Sequence, residues 1–169
     1  MIHPVLRLLK HRRLDEADAV RMVGADAMQR IQARVAASET QHSGEIRVCV
    51  EAGLPWSYLR RHASARERAV AMFGKLRVWD TEHNNGVLIY LLLAEHAIEV
   101  VADRGLSRHV DDAQWRAIMA TMAAAFAAGR FEAGLDQAVD AVDVLLRKHF
   151  PLAPGEVNPN ELPDEPDVR

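Results

Sequence analysis

Apolar residues recur along this chain at two different periods, and each change of period marks an element. Val20, Val23, Ala27, Ile31 and Val35 return every three or four residues, which predicts one helix from Leu14 to about Gln41 with a single buried stripe. His42, Ser43 and Gly44 then interrupt it,. In residues 45–51, "EIRVCVE", Ile46, Val48 and Val50 alternate with Glu45, Arg47, Cys49 and Glu51; this is the period of a strand with one apolar face. Helical spacing resumes after Pro55, with Leu59, Ala63, Val70 and Phe73 turned inward. Residues 86–93, "GVLIYLLL", are apolar on both faces, as a central strand between two helical layers would be. A short turn at Ala94–His96 leads into "AIEVVA", residues 97–102. That turn is too short for a crossover, so the two strands are expected to form an antiparallel hairpin. Two helices close the pattern. Trp115, Ile118, Met119, Met122 and Phe126 form one stripe, ending at Gly129, and Phe131, Leu135, Val139, Val142, Leu146 and Phe150 form another, ending at Pro151,.

Helices before, between and after the strands predict an α/β fold. Its layers would be a three-layer α/β/α sandwich with a mixed central sheet containing an antiparallel hairpin. A chain of 169 residues is long enough to bury a sizeable core as one domain,. The reading divides it into a basic N-terminal extension (1–13), the α/β/α domain (14–150) and an acidic, Pro-rich tail (151–169). The tail is poor in large apolar residues and is expected to be mobile or to lie along the surface.

Charge and cysteine content narrow the function classes. A net charge of −3 gives no global field to attract nucleic acid,. Cys49 is the only cysteine, which excludes an intrachain disulfide and a cysteine-based zinc cluster and reads as a buried, inert thiol. The longest apolar run, "GVLIYLLLA", falls well short of the ~20 residues of a spanning helix, so no transmembrane segment and a cytoplasmic location are expected. The opening "MIHPVLRLLKHRR" lacks the apolar core and cleavage site of a signal peptide. With Arg7, Lys10, Arg12 and Arg13 and no acid, it reads first as a solvated helix end. Weak contact with an anionic surface is the second reading. Trp56 is read as a core anchor at a helix start.

The chain carries no GxxxxGK[ST] loop, no GxGxxG turn, no GxSxG elbow and no HExxH helix,. Its eight histidines read as scattered surface residues. An EF-hand in "DTEHNNG" fails, because Thr81, His83 and Leu92 stand where oxygen ligands are required,. One constellation remains. If strand 45–51 runs parallel to 86–93 and 97–102 runs back, then Glu45, Asn85 and Asp103 meet at one edge of the sheet,. Two carboxylates and an amide carbonyl are hard oxygen donors suited to Ca²⁺ or Mg²⁺. Glu82, Asp111 and Asp112 stand near enough in sequence to complete such a shell. The competing reading is purely structural: Asn85–Gly86 as a turn, Asp103–Arg104 as an exposed ion pair, and Asp111–Asp112 as a helix cap.

Four segments in this order, "SGEIRVCVE", "TEHNNGVLIYLLLAEHAIEVVADRGL", the spacing from Trp115 through "GRFEAGL", and "HFP…NELPDE", resemble the TPM domain family. The likeness is to its short bacterial branch, which lacks the signal peptide and membrane anchor of longer members, and it spans roughly residues 14–165. The resemblance implies an α/β/α sandwich and divalent cation binding. Because the family includes a thylakoid-lumen protein of photosystem II repair with acid phosphatase activity, it also implies a metal-dependent phosphatase as an alternative. Longer relatives carry Asp–Asn–Gly where this chain has Asn84–Asn85–Gly86, so the carboxylate expected at Asn84 is an amide here.

The leading expectation is therefore a non-catalytic TPM-type domain that holds Ca²⁺ or Mg²⁺ through Glu45, Asn85 and Asp103, with Asn84 and Glu82 in reserve. The alternatives are the phosphatase and a protein-interaction module of a membrane-associated complex that presents Trp56, Tyr58 and the basic N-terminus.

Overall fold

Strands β1 (Ile46–Glu51), β2 (Val87–Leu92), β3 (Ala97–Ala102) and β4 (Asp167–Val168) form one mixed sheet in the order β3-β2-β1-β4. A computed structural model describes residues 4–169. The first three residues of the basic opening and the side chains of Pro4, Val5 and Asp112 lie outside the described residues. β1 pairs parallel with β2, with Ile46 opposite Val87, and β2 pairs antiparallel with β3, with Val87 opposite Ala102. Parallel pairing of β1 and β2 requires a long connection, which α4 (Trp56–Arg60) and α5 (Ala65–Lys75) supply. β2 turns into β3 through one 3₁₀ turn, Leu93–Glu95, closed by His96 in the left-handed region at φ 50°.

The sheet is covered on both faces. Ile46, Val48, Val50, Val87, Ile89, Leu91, Ile98 and Val100 face a core built with α2 (Glu16–Val23), α3 (Ala25–Glu39), α7 (Asp112–Ala127) and α8 (Phe131–His149). Cys49, Leu88, Tyr90, Leu92 and Val101 face a smaller core with Leu59, Ala65, Ala69 and Met72 of α4 and α5. The expected α/β/α sandwich with its mixed sheet and hairpin is the observed architecture.

Several local expectations are corrected. The single helix over 14–41 is two, α2 and α3, because Gly24 takes φ 96° between them. Val20 leaves the buried stripe as a result. The helix after Pro55 is likewise two, and the inward residues of α5 are Ala65, Arg68, Ala69 and Met72, with Val70 51% exposed. Trp56 is 56% exposed rather than a core anchor. Two histidines, His11 and His42, are buried rather than at the surface.

β1 has no solvated face; all six of its residues are buried. Its polar positions are satisfied by partners distant in sequence. Arg68 makes a two-pronged bond to the Glu51 carboxylate, at 2.6 and 2.8 Å, and the Tyr90 hydroxyl donates to the same carboxylate at 2.5 Å. Arg47 donates to the carbonyls of Pro163 and Glu165. Burial raises the thiol pKa of Cys49, in keeping with the inert thiol expected there. On the other face, His42 Nδ1 lies 3.0 Å from the Gly44 carbonyl and Nε2 lies 2.9 Å from Ser38 Oγ, which donates to Asp143 at 2.9 Å.

The acidic tail is laid against the sheet. Residues 167–168 form β4 beside β1, Leu162 is buried, and Arg169 exchanges backbone hydrogen bonds with Val50 and Ala52. At the other end of the chain, the basic segment forms α1 (Pro4–Arg12), which docks through Arg7 and His11 on Glu95.

Candidate functional site

One residue before each parallel strand, the backbone ladder continues. The Val87 N–H donates to the Glu45 carbonyl at 2.8 Å, and the Asp103 N–H donates to the Gly86 carbonyl at 2.9 Å. Glu45, Gly86 and Asp103 therefore form one row across the sheet edge. The segment 81–86 is shaped for this. Thr81 Oγ1 accepts from the Asn85 N–H at 3.1 Å, and Asn84 takes φ 51°, a conformation Asn adopts readily,. Only glycine fits at 86, where a Cβ would collide with the Val78 carbonyl oxygen. The two polar ends of the hairpin touch directly: the Gly105 N–H donates to the Asn84 carbonyl at 2.8 Å, and Arg104 Nε donates to Asn84 Oδ1 at 3.0 Å.

Each expected site residue has a structural partner, and three keep an oxygen to spare. Glu45 is fully buried; its Oε2 accepts from the Leu162 N–H at 3.0 Å, while Oε1 has no hydrogen-bond partner. Burial holds its carboxyl above the ordinary range, against the opposing pull of the tail's N–H groups,. Asn85, also fully buried, donates through Nδ2 to the Ser43 carbonyl at 2.9 Å and leaves Oδ1 unpartnered. Asp103 Oδ1 caps the short helix α6 (Arg104–Ser107) by accepting from the Arg104 N–H at 2.7 Å, and its buried Oδ2 is unpartnered. The Asp103–Arg104 pair is thus a cap, and the Arg104 guanidinium goes to Asn84.

The reserve residues are differently placed. The Asn84 side-chain oxygen is occupied by Arg104. Glu82 is exposed, and its N–H meets the Glu161 carboxylate at 3.0 Å. Asp111 forms a capping box with Gln114 at the start of α7,; the Asp112 side chain lies outside the described residues.

Sequence reasoning missed the acids that close over Glu45. Glu39, at the end of α3, is 5% exposed and accepts from the Ile46 N–H at 2.8 Å. Burial pushes its carboxyl up to about 9, and the neighbouring charges of Glu45 and Asp164 add to the effect. Asp164 keeps a buried Oδ1 without a partner. Glu39 and Asp164 line a cavity of about 390 Å³ with Asn158 and Asn160. For Asp164 the signal was present in "NELPDE", but it stands more than a hundred positions from Glu45 and no local period links the two. Among the described residues no three Asp, Glu, His or Cys side chains are grouped closely enough to hold a metal ion unaided. A cation at this edge would need Asn85 Oδ1, backbone carbonyls or water in its shell.

A family model described as the TPM domain matches residues 17–145. The chain belongs to the TPM domain family. This TPM domain is similar in structure to the BA42 protein of the psychrophilic bacterium Bizionia argentinensis, solved by NMR. The two are 26% identical with a TM-score of 0.73, over 85% of this chain and 93% of that one. Among curated proteins none matches. The matched segment of the TPM domain contains Glu45, Asn85 and Asp103 and stops before Asp164, so the acids of the tail stand outside the part that defines the family here. No helix among the described residues is long and apolar enough to cross a membrane.

Proposed function

We propose that this TPM domain binds a divalent cation, Ca²⁺ or Mg²⁺, at the sheet edge formed by Glu45, Asn85 and Asp103. One observation carries the reading: each of the three keeps one buried oxygen without a hydrogen-bond partner. A buried polar atom left unpaired costs about 1–3 kcal/mol, and three at one edge of the sheet, on Glu45 and Asp103 in the row through Gly86 and on Asn85 one position before it, are most simply explained by a ligand that satisfies them. Oxygen donors of this kind suit a hard cation. Asn84 contributes less, since the Arg104 guanidinium occupies its oxygen and brings positive charge to the rim.

The test is thermal unfolding in excess chelator and in millimolar Ca²⁺ or Mg²⁺. A ligand bound only by the native state raises the midpoint, because it adds about 2.7 kcal/mol to the unfolding free energy at a hundredfold excess over Kd. Glu45→Gln keeps an acceptor for the Leu162 N–H but removes the charge. It is expected to fold and to lose most of the cation response, as is Asp103→Asn. A wild-type midpoint unmoved by either cation overturns the reading.

A further inference from the structure

Helix α1 is fastened to the body by Leu8, which packs against the smaller core, and by two polar side chains. Arg7 reaches Glu95 and the Ala63 carbonyl, both at 2.7 Å; His11 lies 3.0 Å from Glu95, and its Nδ1 accepts from the Leu54 N–H at 2.9 Å. The leucines on the opposite side are left outside, Leu6 at 60% and Leu9 at 46% exposure. Only part of the helix's apolar surface is thus covered, whereas a surface helix usually turns its whole apolar stripe to the core,. Leu6, Leu9, Lys10 and Arg13 follow the i, i+3, i+4, i+7 spacing of one helical face. With Met22 and Leu93 they line a hollow of about 520 Å³; Met22 is itself 38% exposed.

Charge selects what covers this face. α1 contains no acid, and Lys10, Arg12 and Arg13 are all exposed, a local excess of positive charge on a chain of net charge −3. Two of the acids that follow are already engaged: Asp15 and Asp18 cap α2, and Asp18 also pairs with Arg21. We propose that the α1 face docks on an anionic lipid bilayer. Leu6, Leu9 and Met22 enter the boundary between headgroups and acyl chains, and Lys10, Arg12 and Arg13 meet lipid phosphates and carboxylates at the rim. Long basic side chains flanking apolar anchors are the composition of an interfacial helix. The bilayer supplies both the apolar medium and the negative potential that this face lacks.

The experiment is vesicle flotation of the full chain in excess chelator, so that the result does not depend on the proposed cation site. Binding is expected to phosphatidylcholine vesicles containing about one third phosphatidylserine, to be at least about tenfold weaker to phosphatidylcholine alone, and to fall with added salt. Lys10→Glu/Arg13→Glu and, separately, Leu6→Glu/Leu9→Glu should each reduce binding at least about tenfold, while Trp79→Ser, at an exposed tryptophan outside this hollow, leaves it unchanged. Circular dichroism and melting confirm that the variants fold; Leu6→Ser/Leu9→Ser replaces any leucine variant that does not. No binding to anionic vesicles overturns the proposal, as does binding indifferent to both α1 variants. Selective capture by this face of an acidic amphipathic peptide in place of vesicles overturns it too.

Discussion

The Leu162 N–H donates to Glu45 Oε2 at 3.0 Å, and this single bond joins the first residue of the sheet edge to a tail 117 positions away. It places a buried carboxylate under the strap formed by residues 158–169, and the strap is held by contacts of several kinds. Asn158 Nδ2 donates to the His42 carbonyl at 3.1 Å, Arg47 donates to two tail carbonyls, and β4 pairs with β1. Leu162 and Pro166 are the strap's buried apolar residues. Leu162→Ala is expected to cost about 2–3 kcal/mol in urea unfolding, at the low end for a buried leucine because the site lies at an edge. A change under ~0.5 kcal/mol would mean that the strap is not part of the cooperative unit.

Asn84→Asp should tighten cation binding several-fold in titration calorimetry. The substitution places a carboxylate at the corner of the hairpin, and Asp tolerates the left-handed backbone there,. Arg104 competes for the new charge as it does for the present amide, so Asn84→Asp/Arg104→Ala should gain more than the single variant. Equal affinities in all three proteins would remove Asn84 from the site.

At the opposite end of β1, Arg68→Ala would strand the Glu51 carboxylate in the core. Breaking a buried ion pair by removing one partner typically costs about 3–5 kcal/mol. Glu51 and Arg68 are 3% and 9% exposed, so a loss in that range is expected. The double variant Glu51→Leu/Arg68→Met should recover much of it, since no charge is then left buried. A double variant no more stable than Arg68→Ala would show that the pair contributes more than mutual neutralisation.

His42 makes stability depend on pH. Burial holds its imidazole below the ordinary 6.5, with the Asp143 charge opposing and Arg147 adding to the depression. The unfolded chain takes up a proton near 6.5 that the folded chain refuses until lower pH. In that window the unfolded state binds more protons at this group, and the contribution of His42 to stability falls as pH falls. Between about pH 7 and about pH 5.5 the wild-type urea midpoint should therefore fall relative to that of His42→Gln; Glu39, its carboxyl pushed up to about 9, works the other way over the same window and is common to both proteins,. The chemistry is visible in the hydroxyl: Ser38 has one proton to give to the neutral ring or to Asp143,. An NMR titration placing His42 at or above 6.5 would contradict this.

The strands were legible because their hydrophobic periods were strong and local. β1, β2 and β3 stand within a residue of their expected bounds, and the antiparallel hairpin followed from the length of one turn. Topology alone brought Glu45, Asn85 and Asp103 to one edge of the sheet, although the row itself runs through Gly86, with Asn85 one position before it. Long-range satisfaction was not legible. Alternation in "EIRVCVE" marked one apolar face and gave no partners for the other, where Arg47, Cys49 and Glu51 lie under α5 and the tail, neutralised or paired by Arg68, Tyr90 and carbonyls of residues 163 and 165. Gly24 was hidden because the apolar stripe resumes in register beyond it, and Asp164 because the tail's composition reads as solvent-exposed.

The strap also has a consequence for the order of assembly. The β2–β3 hairpin closes across a handful of residues, whereas β4 meets β1 only after a loop of more than a hundred has been drawn in. Such non-local pairings form late. Until then β1 carries an open row of N–H and C=O groups flanked by valines, a surface on which another chain's strand can settle. The acidic, proline-rich segment covers that edge at Cys49 and Val50, so the last residues of the chain close the side of the sheet on which a foreign strand would otherwise pair,.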